Sequence, residues 1–132
     1  MSMQNLYEQE LLDHYQHPKN FGLLLSYDFI SPLYNPSCGD SITISGTISD
    51  GLITSIGWQG KGCVLSLAMA SKLSIFAQGK NLESILMCNE DLVEELLKTQ
   101  LGLKRIQCGM LPLQALQKGI KIYSSHALKT DE

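Results

Sequence analysis

Apolar and polar side chains alternate with helical spacing at the start of the chain. Between residues 5 and 15, leucines and tyrosines recur at intervals that place them on one side of a helix, with glutamate and glutamine between them. The pattern stops at His17-Pro18, because proline cannot continue a helix. This spacing predicts an amphipathic first helix.

Strict alternation replaces helical spacing in the next patterned segment. Over residues 41–49, isoleucines and a glycine alternate with serines and threonines, as expected for a strand with one buried face. Asp50-Gly51 follows and is a favoured two-residue hairpin turn, so a returning antiparallel strand is expected. A further strand is predicted over residues 27–33. The returning strand is predicted to continue one face with Leu52, Ile56 and Trp58.

Helical patterns return in the second half of the chain. Residues 64–77 are apolar nearly all round and stop shortly before a glycine, which predicts a largely buried helix. Asn81 and Asn89 are each placed to cap a short helix, over residues 82–87 and 90–98. The two short helices are predicted to form a hairpin.

The last helix is predicted to begin at Pro112, since proline suits the first turn of a helix. Residues 124–132 are predicted to be a frayed tail. Strands come first and helices follow, without strand-helix alternation, so we expect an α+β fold in which helices cover a small three-stranded antiparallel sheet. The whole chain, residues 1–132, is predicted to be a single domain.

Composition and charge narrow the possible functions. The net charge is -3, and only Lys104-Arg105 places two basic residues side by side, so we expect no nucleic-acid partner. No apolar run approaches the roughly 20 residues of a membrane span, and the acidic first segment differs from a secretory signal. We therefore expect a cytoplasmic protein with reduced thiols, in which four cysteines indicate metal or sulfur chemistry.

Three cysteines stand out because each lies next to a glycine in a segment predicted to be a turn or a helix start. They are Cys38, Cys63 and Cys108, and the predicted elements bring all three to one end of the sheet. Cys63 and Cys108 are expected at helix starts, where unpaired N–H groups lower the pKa of a thiol. Cys88 has no such motif and is predicted to be a core residue.

Asp40 lies two residues after Cys38 and adds an oxygen ligand to the three sulfurs. Such a set suits tetrahedral zinc or an iron-sulfur cluster, and a carboxylate in place of a fourth thiolate makes a cluster easier to release. The alternative for Asp40 is a solvated turn carboxylate that caps the next strand.

Three motifs in this order resemble the IscU, SufU and N-terminal NifU family of iron-sulfur cluster assembly scaffolds. They are Asn35-Pro36-Ser37-Cys38-Gly39-Asp40, Gly60-Lys61-Gly62-Cys63 and Arg105-Ile106-Gln107-Cys108. The resemblance implies a SufE/NifU-like fold and a scaffold that receives sulfur from a pyridoxal-phosphate cysteine desulfurase. It further implies that a [2Fe-2S] cluster is built on the scaffold and passed to iron-sulfur acceptor proteins. It places Cys38, Asp40, Cys63 and Cys108 at the ligand positions.

Two subtypes of this family remain open. Gln107 stands where IscU-type members usually have histidine, and Arg105 resembles the SufU type, which favours a zinc-dependent sulfur acceptor. The interval of 45 positions from Cys63 to Cys108 instead matches the shorter IscU type. Residues 101–104 only weakly resemble the segment by which IscU-type members bind a chaperone.

Our leading hypothesis is a scaffold without turnover, in which Cys108 accepts the persulfide because of its predicted loop position. Arg105 is either a solvated charge or a guide for the anionic persulfide. A zinc-dependent sulfurtransferase is the first alternative. A structural zinc module that mediates protein contacts is the second.

Overall fold

The computed structural model describes the backbone of residues 3–130 and the side chains of residues 6–126. Within this part of the chain, three strands form one antiparallel sheet in the order β1-β2-β3, and helices pack against it. The predicted α+β class and three-stranded sheet are therefore confirmed. The elements are α1 Met3–Gln16, β1 Phe29–Asn35, β2 Asp40–Ser49, β3 Leu52–Lys61, α2 Val64–Ala77, α3 Leu82–Leu86, α4 Glu90–Leu97 and α5 Leu103–Thr130.

The sheet places the start of β2 beside the end of β1. Asn35 pairs with Asp40 across the turn that carries Cys38, and β1 begins two residues later than predicted. At the far end of β2, Asp50 and Gly51 have φ angles of 53° and 75°. Positive φ at both central residues is the requirement of the hairpin turn that the sequence predicts.

A β-bulge corrects one detail of the predicted hairpin. Thr47 pairs with Ser55, whereas the next residue, Ile48, pairs with Ile53, so the alternation of β3 shifts by one residue between these pairs. Ile53 is consequently fully buried and Leu52 is 40% exposed, so Leu52 does not lie on the predicted face. The predictions for the other two residues are confirmed, because Ile56 and Trp58 are both buried.

The core lies between the inner face of the sheet and two helices. Ile42, Ile44 and Trp58 supply the sheet side, and α2 and α5 cover it. The predicted bounds of α2 match the structure, and this helix is buried on most of its circumference. Leu113, Leu116 and Ile120 form the inner face of α5 and are fully buried.

Asparagine caps begin the two short helices, as predicted. The Asn81 side chain accepts a hydrogen bond from the Ser84 N–H at 2.8 Å, and the Asn89 side chain accepts one from the Asp91 N–H at 2.9 Å. Each cap satisfies a donor that the first helical turn leaves without an intrahelical partner. The helices end at Leu86 and Leu97, one residue earlier than predicted.

The last helix differs most from the prediction. It begins at Leu103, so Pro112 lies inside it and is not in its first turn. Ile106 and Leu111 are buried and anchor the turns before the proline. The helix also continues through Thr130, so the frayed tail predicted for residues 124–132 is wrong for residues 124–130. Residues 131–132 lie outside the described chain. The assignment of residues 1–132 to a single domain stays a prediction.

Polar contacts fasten α1 to α2. Lys72 is a buried residue of α2 whose Nζ lies 3.0 Å from Glu10 Oε2 and donates to the Leu96 carbonyl at 2.7 Å. His14 Nδ1 lies 2.7 Å from Ser71 Oγ.

Within the part of the chain that the structure describes, none of the helices combines the length and the apolar character that a membrane span requires.

Candidate metal centre

Four side chains from separate elements meet at one end of the molecule. Cys38 comes from the β1-β2 turn, Asp40 from the start of β2, Cys63 from the residue before α2, and Cys108 from α5. Ligand atoms of Cys38, Asp40 and Cys108 all lie within 4.8 Å of one another, and Cys63 Sγ lies 3.2 Å from Asp40 Oδ2. The predicted residues are thus brought together, while their role as ligands stays a prediction.

The turn between β1 and β2 presents Cys38 to solvent. The Asn35 side chain accepts the Ser37 N–H at 2.9 Å, and its backbone carbonyl accepts the Gly39 N–H at 2.8 Å. Gly39 has a φ of 78°, a conformation that L side chains rarely adopt, so glycine is required there. The tight turn leaves the Cys38 side chain exposed at the rim of the site.

Asp40 is the buried member of the group, with only 4% of the residue exposed. Its Oδ1 accepts the Cys63 N–H at 3.2 Å, and its Oδ2 accepts the Ser66 hydroxyl at 2.6 Å. Burial raises the pKa of Asp40, but hydrogen bonds from Ser66, Cys63 and Cys38 outweigh it, so the pKa lies below its ordinary value. Asp40 is therefore an ionised carboxylate held against the start of α2, which excludes the solvated-turn alternative.

Cys63 occupies the N-cap position of α2, as predicted, with an extended backbone and an exposed side chain. Its own side chain makes no capping hydrogen bond. The Asp40 carboxylate instead accepts the backbone N–H of Cys63 itself, one of the donors that the helix leaves unpaired. The Cys63 thiol donates to Asp40 Oδ2 at 3.2 Å, which holds its sulfur at the site.

Cys108 departs from the prediction in position and in acidity. It lies in the second turn of α5, because this helix begins at Leu103, and it is partly buried. Burial, followed by the neighbouring thiols of Cys38 and Cys63, raises the pKa of Cys108 to about 12. A thiol at a helix start was expected to have a lowered pKa, so that prediction is wrong for Cys108. A bound cation reverses this effect, since a metal-coordinated thiol is deprotonated.

Ser66 is completely buried beside the site and was not predicted from the sequence. Its hydroxyl lies 2.6 Å from Asp40 Oδ2 and 2.9 Å from the backbone carbonyl oxygen of Cys108. In the sequence, Ser66 is one of the few polar residues in the apolar run of α2 and lies one turn after Cys63. That placement is the signal that could have identified it.

The remaining cysteine and the flanking residues of Cys108 lie outside this cluster. Cys88 packs against the core and donates to the Ser84 carbonyl at 3.2 Å. Arg105 and Gln107 are exposed on α5. Arg105 precedes Cys108 by three positions, so both residues lie on the same side of the helix.

These features define an α+β fold with a candidate metal centre rich in cysteine thiols. The residues present fit zinc or iron, because three sulfur atoms and an ionised carboxylate form a four-donor set of the kind that these metals accept in proteins. Burial and the neighbouring thiols also make ionisation of Cys108 unfavourable unless a cation neutralises the site. Two of the thiols, Cys38 and Cys63, are exposed, so the site is open on one side.

The family follows from comparison with known proteins. A family model described as "NifU-like N terminal domain" matches residues 6–130. The chain belongs to this family, which confirms the resemblance identified in the sequence.

Relatives of both subtypes match this chain. The iron-sulfur cluster assembly scaffold protein IscU 1 of Archaeoglobus fulgidus is 32% identical over 127 residues, covering 96% of this chain and 82% of that protein. The zinc-dependent sulfurtransferase SufU of Bacillus subtilis is 29% identical over 136 residues, covering 90% of this chain and 92% of that protein.

A solved structure supports the fold independently. The N-terminal part of a NifU-like protein from Brucella abortus has a TM-score of 0.75 at 18% identity, covering 93% of this chain and 97% of that one. At this identity the similarity establishes the fold alone.

Proposed function

We propose that this chain is a scaffold on which a [2Fe-2S] cluster is assembled and from which it is passed to acceptor proteins. The cluster is the cargo, and Cys38, Asp40, Cys63 and Cys108 are its proposed ligands. The observation that carries the proposal is the convergence of three thiols and one ionised carboxylate at an exposed end of the fold. An open site lets cargo enter and leave, and a single oxygen ligand among sulfurs weakens the hold on iron.

The proposed sulfur source is a pyridoxal-phosphate cysteine desulfurase that carries the sulfur as a persulfide. A thiolate of this chain attacks the terminal sulfur, the S–S bond breaks, and the thiolate of the desulfurase leaves. The step needs no further oxidant or reductant. Arg105 is exposed on the same side of α5 as Cys108 and is proposed to attract the anionic persulfide.

The position and acidity of Cys108 do not favour it as the thiol that first accepts sulfur. Cys108 lies within α5 and not in the predicted loop, and in the metal-free site its raised pKa keeps it protonated. Cys38 is exposed on a turn, so we assign the first sulfur transfer to Cys38 and retain Cys108 as the alternative. Mass spectrometry of trapped persulfides separates the two, since Cys38→Ser abolishes labelling under the first assignment and Cys108→Ser under the second.

Zinc-dependent sulfur transfer is the second candidate function. Arg105 and the likeness to a zinc-dependent sulfurtransferase over most of the chain favour it. In this case the same four residues hold zinc, and one thiol is released to accept sulfur.

Anaerobic incubation with a cysteine desulfurase, cysteine and ferrous iron tests the proposal. We expect visible sulfide-to-iron absorption with the wild type and with Cys88→Ser, a matched control outside the site, and loss of absorption with Cys38→Ser or Cys63→Ser. Retention of one zinc without a cluster, together with a faster desulfurase reaction, favours sulfur transfer. If neither result is observed and the protein unfolds on chelation, both functions are contradicted and a structural zinc module is favoured.

A further inference from the structure

Pro112 interrupts the hydrogen bonding of α5 directly at the candidate site. In an α-helix, each carbonyl accepts the N–H of the residue four positions later. The residue four positions after Cys108 is Pro112, which has no N–H and whose ring crowds that same carbonyl. The backbone carbonyl of a proposed ligand therefore lacks its usual helical donor.

Ser66 supplies a replacement donor from another helix. Its hydroxyl lies 2.9 Å from the Cys108 carbonyl oxygen and 2.6 Å from Asp40 Oδ2, and the residue is completely buried. One hydroxyl thus contacts the start of β2 and the second turn of α5 while it belongs to α2. A buried carbonyl that accepts no hydrogen bond destabilises the fold. The Ser66 hydroxyl is therefore needed to replace the hydrogen bond that Pro112 cannot donate.

We propose that Ser66 and Pro112 act together as positioning residues of the metal centre. Pro112 removes the helical hydrogen bond of the Cys108 carbonyl, and the Ser66 hydroxyl, by taking its place, fixes the spacing between Cys108 and Asp40. The inference rests on the proposed metal-binding function, because it assigns these two residues the task of holding its ligands.

The Ser66 hydroxyl has one proton for two acceptors, so its two contacts compete. A cation held by Asp40 would withdraw charge from the carboxylate and make it a weaker acceptor. The Ser66 hydroxyl would then donate preferentially to the Cys108 carbonyl, which would couple occupancy of the site to the packing of α5 against α2.

Zinc affinity of four proteins tests the arrangement: the wild type, Ser66→Ala, Pro112→Ala and the double variant, each titrated in competition with a chromophoric chelator. We expect Ser66→Ala to raise the zinc Kd about tenfold or more, the usual effect of losing a residue that orients a ligand. In the Pro112→Ala background, residue 112 has an N–H that can donate to the Cys108 carbonyl, so the same substitution should raise the Kd by a smaller factor.

Two further variants separate positioning from simple packing. Ser66→Thr keeps the hydroxyl and should restore most of the affinity. Ser71→Ala removes another buried hydroxyl of α2, one that contacts His14 away from the site, and should leave the zinc Kd unchanged. Equal losses of affinity in Ser66→Ala and Ser71→Ala overturn the proposal.

Urea unfolding of the same proteins without metal distinguishes a failure of this inference from a failure of the proposed function. The Ser66–Cys108 contact exists without metal, so Ser66→Ala should lower the urea midpoint less in the Pro112→Ala background than in the wild type. Additive midpoint shifts overturn the pairing of Ser66 with Pro112, whatever the protein binds. A wild type that binds no zinc but shows non-additive shifts supports the pairing of Ser66 with Pro112 and contradicts zinc binding at the site.

Discussion

Glycines accompany the clustered cysteines for different physical reasons. Gly39 is needed for its positive φ, Gly109 is needed for space, and Gly62 combines a φ of 159° with a lack of space for a Cβ. A Cβ at Gly109 would lie 2.8 Å from Val93 Cγ1, and one at Gly62 would lie 2.5 Å from Asp40 Cγ. The absent side chain of Gly62 therefore lets the Asp40 carboxylate approach the start of α2.

Replacing Gly62 by alanine should displace Asp40 from the site. The added methyl group occupies the position of the carboxylate, so we expect the zinc Kd to rise roughly tenfold or more, as for the loss of a ligand-orienting contact. Competition with a chromophoric chelator measures it. Gly102→Ala is the matched control, because a Cβ there meets open space. An unchanged Kd for Gly62→Ala would show that Asp40 is not a ligand.

The buried hydroxyl of Ser31 has no hydrogen-bond partner among the described residues. Since an unsatisfied buried hydroxyl is destabilising, Ser31→Ala should raise the free energy of unfolding by about 1 kcal/mol. Ser45 is a suitable contrast on the neighbouring strand, because its hydroxyl donates to the Gly57 carbonyl and accepts the Leu24 N–H. Urea unfolding should show stabilisation for Ser31→Ala and destabilisation for Ser45→Ala; loss of stability in both contradicts the prediction.

At the scale of elements, local patterns predicted most of the structure and failed where tertiary contacts decide. The bounds of α2 and the Asp50-Gly51 turn follow from periodicity and turn chemistry alone. The start of α5 does not, since Pro112 is typical of a first turn, and the contact of the Ser66 hydroxyl with the Cys108 carbonyl is a tertiary contact without a local signal. The bulge opposite Thr47 likewise has no local signal, and it reversed the prediction for Leu52.

An ion pair between Glu10 and Lys72 joins α1 to α2, and its loss should lower the free energy of unfolding. Glu10→Gln leaves the buried Lys72 ammonium without its counter-charge, although the Leu96 carbonyl still accepts from it. Removing one partner of a buried pair costs roughly 3 to 5 kcal/mol, and because Glu10 is partly exposed we expect about 1 to 2 kcal/mol here. Urea unfolding measures this loss. In a Lys72→Met background the same substitution should cost little, and an undiminished cost would contradict the ion pair as its cause.

For the molecule as a whole, the residues that meet at the candidate site were predictable from the sequence, and their protonation was not. Residue types and motif order indicated Cys38, Asp40, Cys63 and Cys108 from sequence. Distances between them depend on how the turn, the sheet and two helices pack, and those distances raise the pKa of Cys108 and lower that of Asp40. The pKa of each group thus depends on the neighbours that the fold packs against it. The position of a cysteine in a single helix is not enough to predict it.

The pH dependence of stability should report on the attachment of α1. Burial lowers the pKa of His14, with a further contribution from the nearby Lys72 charge, while the imidazole contacts Ser71. The unfolded chain then binds a proton near pH 6.5, where folded His14 does not, so stability rises with pH through this range and falls as pH drops below it.

The other groups with a shifted pKa titrate outside this pH range. The lowered pKa values of Glu10 and Asp40 affect stability only in more acidic solution, and the raised pKa values of Cys88 and Cys108 affect it only in alkaline solution, near pH 9 and above. The metal-free protein should therefore have a lower urea midpoint at pH 5.5 than at pH 7.5. His14→Asn, which keeps a polar group toward Ser71 but does not titrate, should flatten this difference. An equally steep dependence in the variant would place the responsible proton elsewhere in the fold.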